Sequence, residues 1–399
     1  MIDEISLKNI LSFKNEVTFS LEATDDATFE SSHVVTMPDG TRLLRLGIVY
    51  GANASGKTNL LDAIDWLRSF WLFNPQDVNK RTGIEPFLLD VDTPHQPSEF
   101  NIKFWVNGIK YEYRLSVTNE YVIYEALSYY NIEQPVKVFE RELIDGQSVL
   151  HFNADVQEID KETQKALTLY CLPNKSFLAA RGNVNMKLAY VDDVREWMLH
   201  RFMPIIDPKT NMLYYCQNKI NQNTDFKDYL LEFLHLADFN ITGIKSYGEE
   251  KENSALGFEH TVSNSRGEEK YELNIAQQSN GTKRVMGIEA AIYEASDKNA
   301  FLIIDEMETS LHPDLMEYII QKHLLRPSQS QLLITTHNLS LLNTINDLIR
   351  KDNVWFVEKD KTGATDLFSL VEFAGINNSS QFERDYRNGK FGALPVIMD

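Results

Sequence analysis

The sequence predicts an α/β fold with a mixed β-sheet, N-terminal antiparallel strands and a helical insert. Two short apolar runs, residues 46–50 and 301–304, have the composition of strands that are buried on both faces. A longer segment of alternating apolar and polar residues, 98–130, predicts a meander of antiparallel strands. Strands that alternate with helical patterns around such apolar runs are typical of an α/β core.

The first part of the chain predicts strands that lead into a glycine-rich loop. Alternation over residues 3–23 predicts two strands around a turn at residues 14–16. Residues 41–50 predict the strand that enters the loop, and residues 59–73 predict the helix that leaves it, because leucine and isoleucine recur there at helical spacing. The pair Asn107-Gly108 separates two alternating segments and predicts a tight hairpin turn.

The second part begins with a helical pattern over residues 160–239, which predicts an insert of roughly eighty residues. The elements expected after it are a hairpin over 257–276 with its turn at Arg266-Gly267, a helix over 280–295, a strand over 300–306, a helix over 315–324, a strand over 330–337 and a hairpin over 354–373 with its turn at Thr362-Gly363. We therefore divide the chain into an N-terminal lobe (1–155), a helical insert (156–245) and a C-terminal lobe (246–399).

The bulk composition limits the classes of function. The 399 residues carry a net charge of −19, which disfavours general binding to nucleic acid because phosphate contacts need clustered Lys and Arg. Cys171 and Cys216 are the only cysteines and lack metal-type spacing, so we expect a reducing, cytoplasmic environment. Neither a signal peptide nor an apolar stretch long enough to span a membrane is expected.

The segment "GANASGKT" at residues 51–58 fits the phosphate-loop pattern G-x-x-x-x-G-K-[ST] and has the strand before it and the helix after it that this motif requires. Its backbone N–H groups would surround the phosphates of ATP, Lys57 would reach the β- and γ-phosphates, and Thr58 would contact Mg²⁺. The residues predicted to bind ATP here are Gly51, Ala52, Asn53, Ala54, Ser55, Gly56, Lys57, Thr58 and Asn59.

Two carboxylates follow the apolar run 301–304, at the end of a strand where ligands bind in sheets of this kind. If the strand stays extended, adjacent side chains point to opposite sides, so Asp305 and Glu306 can serve two roles. We expect Asp305 to hold Mg²⁺ through water and Glu306 to act as the general base for the attacking water. An ordinary acidic turn is the alternative for this pair taken alone.

Two further segments match a nucleotide site. The apolar strand at 331–334 is followed by Thr335, Thr336 and His337, and the histidine is placed to contact the γ-phosphate. Ser279 and Gly281 precede a helical run, and a serine beside glycine at a helix start presents a hydroxyl and free N–H groups to an anion. A structural histidine and a plain capped helix are the respective alternatives.

The order of these motifs, with a Ser-x-Gly helix between the phosphate loop and the Asp-Glu strand, resembles the SMC/RecF branch of ABC ATPases. "DEMETSLHP" at 305–313 resembles the D-loop of OLD-like and RloA/AbiL-type defence ATPases with AAA-type ATP-binding domains. Residues 354–373, the following "YRNGKFGALP" and residues 86–117 also resemble the RloA/AbiL-type group. The resemblance covers nearly the whole chain, is weakest in the insert, and implies an ABC-type ATPase head.

The resemblance implies an ATPase that closes head to tail as a homodimer around two ATP molecules, with higher oligomers left open. Lys57, Thr58, Asp305, Glu306 and His337 would then act on the ATP bound by their own chain, and Ser279 and Gly281 on that of the partner. RloA/AbiL-type proteins also imply a sensor or scaffold in anti-phage defence and abortive infection. In that role the chain would control a nuclease or toxin encoded nearby, and it would not need to bind nucleic acid itself.

The chain departs from related families in several places. It lacks the long coiled-coil pattern of SMC proteins, and we expect no TOPRIM nuclease domain of the OLD type in the sixty-two residues given after His337. Gln96 and Gln134 are weak candidates for the glutamine that joins the two lobes of ABC ATPases, and Asp90-Val91-Asp92 predicts a solvated turn. His312 is interpreted as a dimer-interface residue, with a helix start before Pro313 as the alternative.

Two other functions stay open from the sequence. A RecF-like DNA repair ATPase would bind duplex DNA directly, and the acidic composition disfavours it. A housekeeping or transport ATPase is disfavoured by the absence of features for coupling to a membrane.

Overall fold

The structure is a computed structural model that describes residues 1–131, 134–237, 239–247, 255–376 and 381–394. These ranges contain the following strands: β1 (Ile2–Lys8), β2 (Val17–Ser20), β3 (Val34–Thr36), β4 (Arg42–Leu44), β5 (Leu46–Tyr50), β6 (Ser98–Val106), β7 (Ile109–Val117), β8 (Val122–Asn131), β9 (Gln134–Ile144), β10 (Gln147–Phe152), β11 (Ile241–Tyr247), β12 (Ala255–Asn264), β13 (Gly267–Asn274), β14 (Phe301–Ile304), β15 (Gln331–Thr335), β16 (Val354–Lys359) and β17 (Thr365–Ser369).

The same ranges contain the following α-helices: α1 (Glu30–His33), α2 (Lys57–Leu72), α3 (Lys161–Tyr170), α4 (Phe177–Arg181), α5 (Val191–Arg201), α6 (Leu213–Gln222), α7 (Thr224–Leu236), α8 (Asn280–Lys298), α9 (Pro313–Leu325) and α10 (Phe382–Arg387). Among the described helices, none is both long enough and apolar enough to cross a membrane.

The N-terminal lobe contains the predicted antiparallel strands. Seven of the described strands form one sheet in the order β10-β9-β8-β7-β6-β1-β2. The predicted hairpin at Asn107-Gly108 is confirmed: both residues have positive φ, 50° and 80°, and Val106 pairs with Ile109 across the turn. A left-handed backbone at both positions is what a type I′ turn requires, which explains this dipeptide.

The central sheet has the order β14-β15-β5-β16-β17, in which the first four strands are parallel and β17 is antiparallel to β16. Parallel pairing places the carboxyl ends of β5, β14, β15 and β16 along one edge. Every residue of β5, β14 and β15 is buried, so the prediction of strands covered on both faces is confirmed. The mixed α/β fold class is confirmed as well.

Alternate residues of the central strands face two different apolar cores. Ile303 and Leu333 pack with α2 and the seven-stranded sheet, whereas Leu302 and Leu332 pack with α8 and α9. The period of two along a strand produces this division. The phosphate-loop helix and the Ser-x-Gly helix therefore lie on opposite faces of one sheet.

Some element boundaries differ from the predictions. The predicted strand 41–50 is interrupted at Arg45, whose buried guanidinium donates to the carbonyls of His323 and Leu324. Residues before it, in β4, pair instead with β3 as a short ribbon. In the β12–β13 hairpin, Asn264 pairs with Gly267, so the turn lies at Ser265-Arg266, one residue earlier than predicted.

The helical insert also contributes to the central sheet. Between α5 and α6, Phe202 and Ile206 form parallel bridges to Phe301 and Ile304 of β14. This segment therefore runs along the outer edge of β14. Its sequence continues a helical pattern, so the extended structure was not predicted. Helices α6 and α7 pack against α8.

Candidate functional site

The loop between β5 and α2 is shaped by two glycines. A Cβ on Gly51 would lie 2.5 Å from Ser55 Oγ and 2.6 Å from the Val357 carbonyl oxygen. Gly56 has φ of 116°, and a Cβ there would lie 2.5 Å from Thr365 Oγ1. Larger residues would therefore displace the loop at both positions.

The loop and the start of α2 border a cavity of about 410 Å³ at the carboxyl edge of the central sheet. The first N–H groups of a helix have no partners within the helix, which suits them to hold an anion. The residues that line this cavity, called here the phosphate cavity, are Asn53, Ala54, Gly56, Lys57, Thr58, Asn59, Glu306, His337 and Lys359. Segments far apart in sequence thus meet as the motifs predict.

The other predicted loop residues lie on the opposite side of the loop. Gly51, Ala52 and Ser55 line an adjoining cavity of about 640 Å³, together with residues of β16 and the C-terminal segment. The two cavities share Asn53, Ala54, His337 and Lys359. Lys359 is a cation of the phosphate cavity that the sequence motifs did not identify.

Asp305 is held at the end of β14 by two hydroxyl groups. Thr58 Oγ1 donates to Asp305 Oδ2 at 2.9 Å, and Thr335 Oγ1 donates to Asp305 Oδ1 at 2.5 Å. The carboxylate is only 3% exposed. A carboxylate and a hydroxyl side by side are oxygen ligands of the kind that Mg²⁺ prefers, so Asp305 and Thr58 fit the predicted metal site.

Glu306 reaches the phosphate cavity by a backbone turn. Its φ is 43°, and β14 ends before it, so the expectation of an extended strand through Asp305 and Glu306 is wrong. The Glu306 amide donates to Thr335 Oγ1 at 2.8 Å, which fixes the turn. The two carboxylates still take different positions, because the turn directs Glu306 to the cavity while Asp305 stays buried.

Lys57 and His337 bring different electrostatic properties to the cavity. Lys57 Nζ donates to the carbonyls of Gly51 and Ala52 at 2.9 and 3.0 Å, and burial lowers the pKa of its ammonium. The pKa of His337 is lowered by desolvation first and by the Lys57 charge second. The imidazole is therefore neutral at neutral pH and can donate one hydrogen bond to a phosphate oxygen.

Ser279 and Gly281 lie at the start of α8, and neither is among the described residues that line the phosphate cavity. Ser279 is the exposed N-cap of α8, and its Oγ accepts a hydrogen bond from the Thr282 amide at 3.0 Å. A Cβ on Gly281 would lie 3.0 Å from the Ser310 carbonyl oxygen, so α8 begins directly beside the predicted D-loop.

The remaining sequence candidates have simple structural positions. His312 is the exposed N-cap of α9, and its Nδ1 accepts from the Asp314 amide, so it has the helix-start position that was the alternative to an interface residue. Asp90 accepts from the amides of Asp92 and Thr93, which confirms a turn there. Gln96 and Gln134 are exposed, and neither is among the described residues that line the phosphate cavity.

A brace behind the phosphate loop, formed by Thr365, was not indicated by any sequence pattern. Thr365 Oγ1 donates to the Ser55 carbonyl oxygen and is hydrogen-bonded to Ser12 Oγ, both at 2.8 Å. Thr365 also donates its amide to the Ser12 carbonyl at 2.7 Å. Residues from both ends of the chain thereby fix the loop.

We expect Thr365→Val to weaken ATP binding, because the buried Ser55 carbonyl loses its donor and the Ser12 hydroxyl loses its hydrogen-bond partner while the side-chain shape is kept. Leaving such groups unsatisfied costs about 1–3 kcal/mol. Titration with a fluorescent ATP analogue and thermal unfolding measure the two effects. Thr362→Val, in the exposed turn of the same hairpin, is the control. Equal losses of affinity in both variants would contradict the brace.

Comparison with known proteins adds a family assignment. A family model described as "AAA domain, putative AbiEii toxin, Type IV TA system" matches residues 48–166 and 213–343, more than half of the chain. No curated protein matches the chain. The matched ranges include the phosphate loop, the start of α8, both carboxylates and His337.

Solved structures of SMC heads are similar to the chain at low identity. The SMC head domain from Thermotoga maritima has a TM-score of 0.43 at 15% identity, over 92% of this chain and 98% of that one. An SMC head bound to the C-terminal winged-helix domain of ScpA has a TM-score of 0.42 at 14% identity, over 92% and 97%. A Pyrococcus furiosus SMC head with an extended coiled coil, bound to the C-terminal domain of ScpA, has 0.41 at 11%, over 93% and 97%.

The family match agrees with the geometry of the site. It spans both the loop that borders the phosphate cavity and the carboxylates opposite the loop. The protein belongs to the family of AAA domains that this model describes, and its domain is of the ATPase type.

Proposed function

We propose that this protein hydrolyses ATP, closes as a homodimer around two ATP molecules, and regulates a separate nuclease or toxin in anti-phage defence. The observation that carries the proposal is the meeting of Lys57, Thr58, Glu306 and His337 at one cavity. These side chains provide a phosphate-binding cation, a metal-binding hydroxyl, a base and a neutral hydrogen-bond donor. Phosphoryl transfer to water needs each of these functions.

Within one chain, the triphosphate would bind against the N–H groups at the start of α2 and against Lys57. Mg²⁺ held by Thr58 and Asp305 would neutralise charge on the phosphate oxygens. Glu306 would accept the proton of the attacking water. His337 would donate a hydrogen bond from a ring N–H group to the γ-phosphate.

The second chain would complete the site with its Ser279 and Gly281. Ser279 is exposed at the start of a 19-residue helix, on the face of the sheet opposite α2, and a helix N-terminus favours an anion. It has no contact with the phosphate cavity of its own chain among the described residues. A head-to-tail dimer would satisfy both observations, because each Ser279 would then reach the γ-phosphate in the other chain.

The proposed role in defence rests on two resemblances. The family model is named after the AbiEii toxin and type IV toxin–antitoxin systems. The sequence also resembles RloA/AbiL-type ATPases, which are encoded beside nuclease-like partners. The net charge of −19 makes direct binding to duplex DNA, as in a RecF-like repair protein, the less supported role.

We expect the purified chain to hydrolyse ATP and to leave DNA and RNA intact with Mg²⁺ or Mn²⁺ present. Toxicity and phage protection should appear only when the neighbouring gene is expressed with it. The test is to express the chain with and without that gene, co-purify the products, and assay nucleic-acid cleavage and plaque formation. Lys57→Ala is the control that should abolish protection while any complex still forms.

Cleavage of nucleic acid by the lone chain would contradict this role if a substitution outside the ATP site abolished it. Replication or repair genes as neighbours, together with salt-sensitive binding of the chain to duplex DNA, would support the RecF-like alternative instead.

A further inference from the structure

The segment after β14 runs beside the segment after β15 and is bonded to it at three successive residues. Glu306 donates its amide to Thr335 Oγ1 at 2.8 Å, and Met307 donates its amide to the Thr335 carbonyl at 3.1 Å. At the third position the direction reverses: the His337 amide donates to Glu308 Oε1 at 2.6 Å. The third bond therefore joins the two segments through the Glu308 carboxylate.

We propose that Glu308 is a positioning residue, which holds the backbone of His337 so that the imidazole stays at the phosphate cavity. The inference rests on the proposed function and deepens it, because neither the motif pattern nor the site chemistry assigned a role to Glu308. A hydrogen bond between an N–H group and a carboxylate is stronger than one between neutral groups. Glu308 therefore suits a position where one bond must fix a loop.

The surroundings of Glu308 support a fixed orientation. Its Oε2 atom is buried without a hydrogen-bond partner, as is the hydroxyl of Tyr50. Tyr50 is the last residue of β5 and is fully buried. Burial first, and the Glu308 charge next, raise the pKa of Tyr50 well above its ordinary value, so the phenol stays protonated.

The loop that carries Glu308 also touches α8. Leu311 donates its amide to the Glu308 carbonyl at 2.8 Å, and Ser310 adopts a φ of 64°. The Ser310 carbonyl lies beside Gly281, where an added Cβ would be 3.0 Å away. Glu308 therefore lies between His337 and the start of α8, so contact of α8 with a partner's ATP could reach His337 through residues 308–310.

The test compares three variants with the wild-type chain. Glu308→Ala removes the acceptor, and we expect kcat for ATP hydrolysis to fall about 10- to 100-fold with the KM for ATP within about twofold, the range typical when a group that orients a site residue is removed. Glu308→Gln keeps an oxygen that can accept from the His337 amide, and it should recover most of kcat. Glu317→Ala removes the next glutamate along the chain, which accepts from the Ser340 hydroxyl rather than from His337, and is the matched control.

A double variant separates positioning from general damage. If Glu308 acts through His337, then Glu308→Ala combined with His337→Ala should be no slower than His337→Ala alone, since contacting residues are not additive. Additive losses would overturn the inference. So would wild-type kcat in either single variant.

A measurement without turnover keeps this inference separate from the proposed function. Amide hydrogen exchange at His337, followed in a peptide that begins several residues before it, should be faster in Glu308→Ala than in the wild type, and unchanged in Glu308→Gln and Glu317→Ala. Unchanged exchange in Glu308→Ala would overturn the inference even if the chain hydrolyses ATP. A wild-type chain that cannot hydrolyse ATP would overturn the proposed function, and the exchange result would still decide on the hydrogen bond.

Discussion

The Glu306→Gln variant should bind ATP, fail to hydrolyse it, and accumulate as a dimer. The amide cannot accept the proton of the attacking water, whereas Lys57, Thr58 and Asp305 keep their contacts with phosphate and metal. Loss of a general base lowers the rate about 10²–10⁴-fold. The turn at Glu306 is fixed by its amide bond to Thr335, so the substitution leaves the backbone geometry in place. Size-exclusion chromatography with light scattering, with and without ATP and Mg²⁺, measures the dimer.

Lys57→Ala is the comparison that identifies the cause. Without the ammonium the chain should bind ATP weakly, because a charge-assisted contact with the phosphates is lost, and it should stay monomeric in ATP. Adding Lys57→Ala to Glu306→Gln should abolish the ATP-dependent dimer. Undiminished ATP turnover in Glu306→Gln would show that Glu306 is not the general base. A dimer that forms equally with and without ATP would contradict closure around the nucleotide.

Sequence motifs predicted the parts of the site that are continuous in the chain. The strand, loop and helix from Leu46 to Leu72 were predicted because the glycine spacing and the flanking apolar patterns are local properties. The carboxylates and His337 were predicted because polar residues at the ends of apolar runs mark the edge of a parallel sheet. The structure places Glu306, His337 and the start of α2 at one cavity, and Asp305 is bonded to Thr58 beside it.

The contacts that fix these groups were not predictable from the same patterns. Thr365 lies 310 residues from Ser55 and 353 from Ser12, and no local spacing relates them. The Thr335 hydroxyl, which bonds both Asp305 and the Glu306 amide, was noted as a polar residue after a strand but was given no role. Such contacts depend on the order of the strands in the sheet, which cannot be deduced from sequence periodicity.

The boundaries that were wrong have local causes. Arg45 interrupts an apolar run because its guanidinium finds several buried carbonyl partners, which alternation alone does not reveal. Glu306 adopts a left-handed backbone conformation although it follows a strand, because its amide donates a hydrogen bond to the Thr335 hydroxyl. The segment 202–206 lies along β14 although its sequence continues a helical pattern.

Ser279→Arg should keep ATP binding by the monomer and lose nearly all ATPase activity. The proposed closed dimer would bring a bulky cation against the γ-phosphate position of the partner. The substitution also removes the N-cap of α8, and loss of such a cap costs about 0.5–2 kcal/mol. Ser279→Asp separates the two effects, because aspartate keeps the cap but repels the phosphate. We expect Ser279→Asp to have wild-type thermal stability and equally low turnover.

Full activity in Ser279→Asp would contradict contact between this residue and a phosphate. Normal ATPase activity in Ser279→Arg would do so as well. Ser279→Thr, which retains both the hydroxyl and the cap, is the control and should stay close to the wild type in steady-state ATP hydrolysis.

The most direct test of a site shared between two chains is the ATPase activity of a mixture of Lys57→Ala and Ser279→Arg chains. Each heterodimer would contain one site with an intact Lys57 from one chain and an intact Ser279 from the other. The account predicts that the mixture hydrolyses ATP well above the rate of either variant alone, with differently tagged chains used to demonstrate heterodimers. The account would be contradicted if heterodimers form but the mixture hydrolyses ATP no faster than either variant alone.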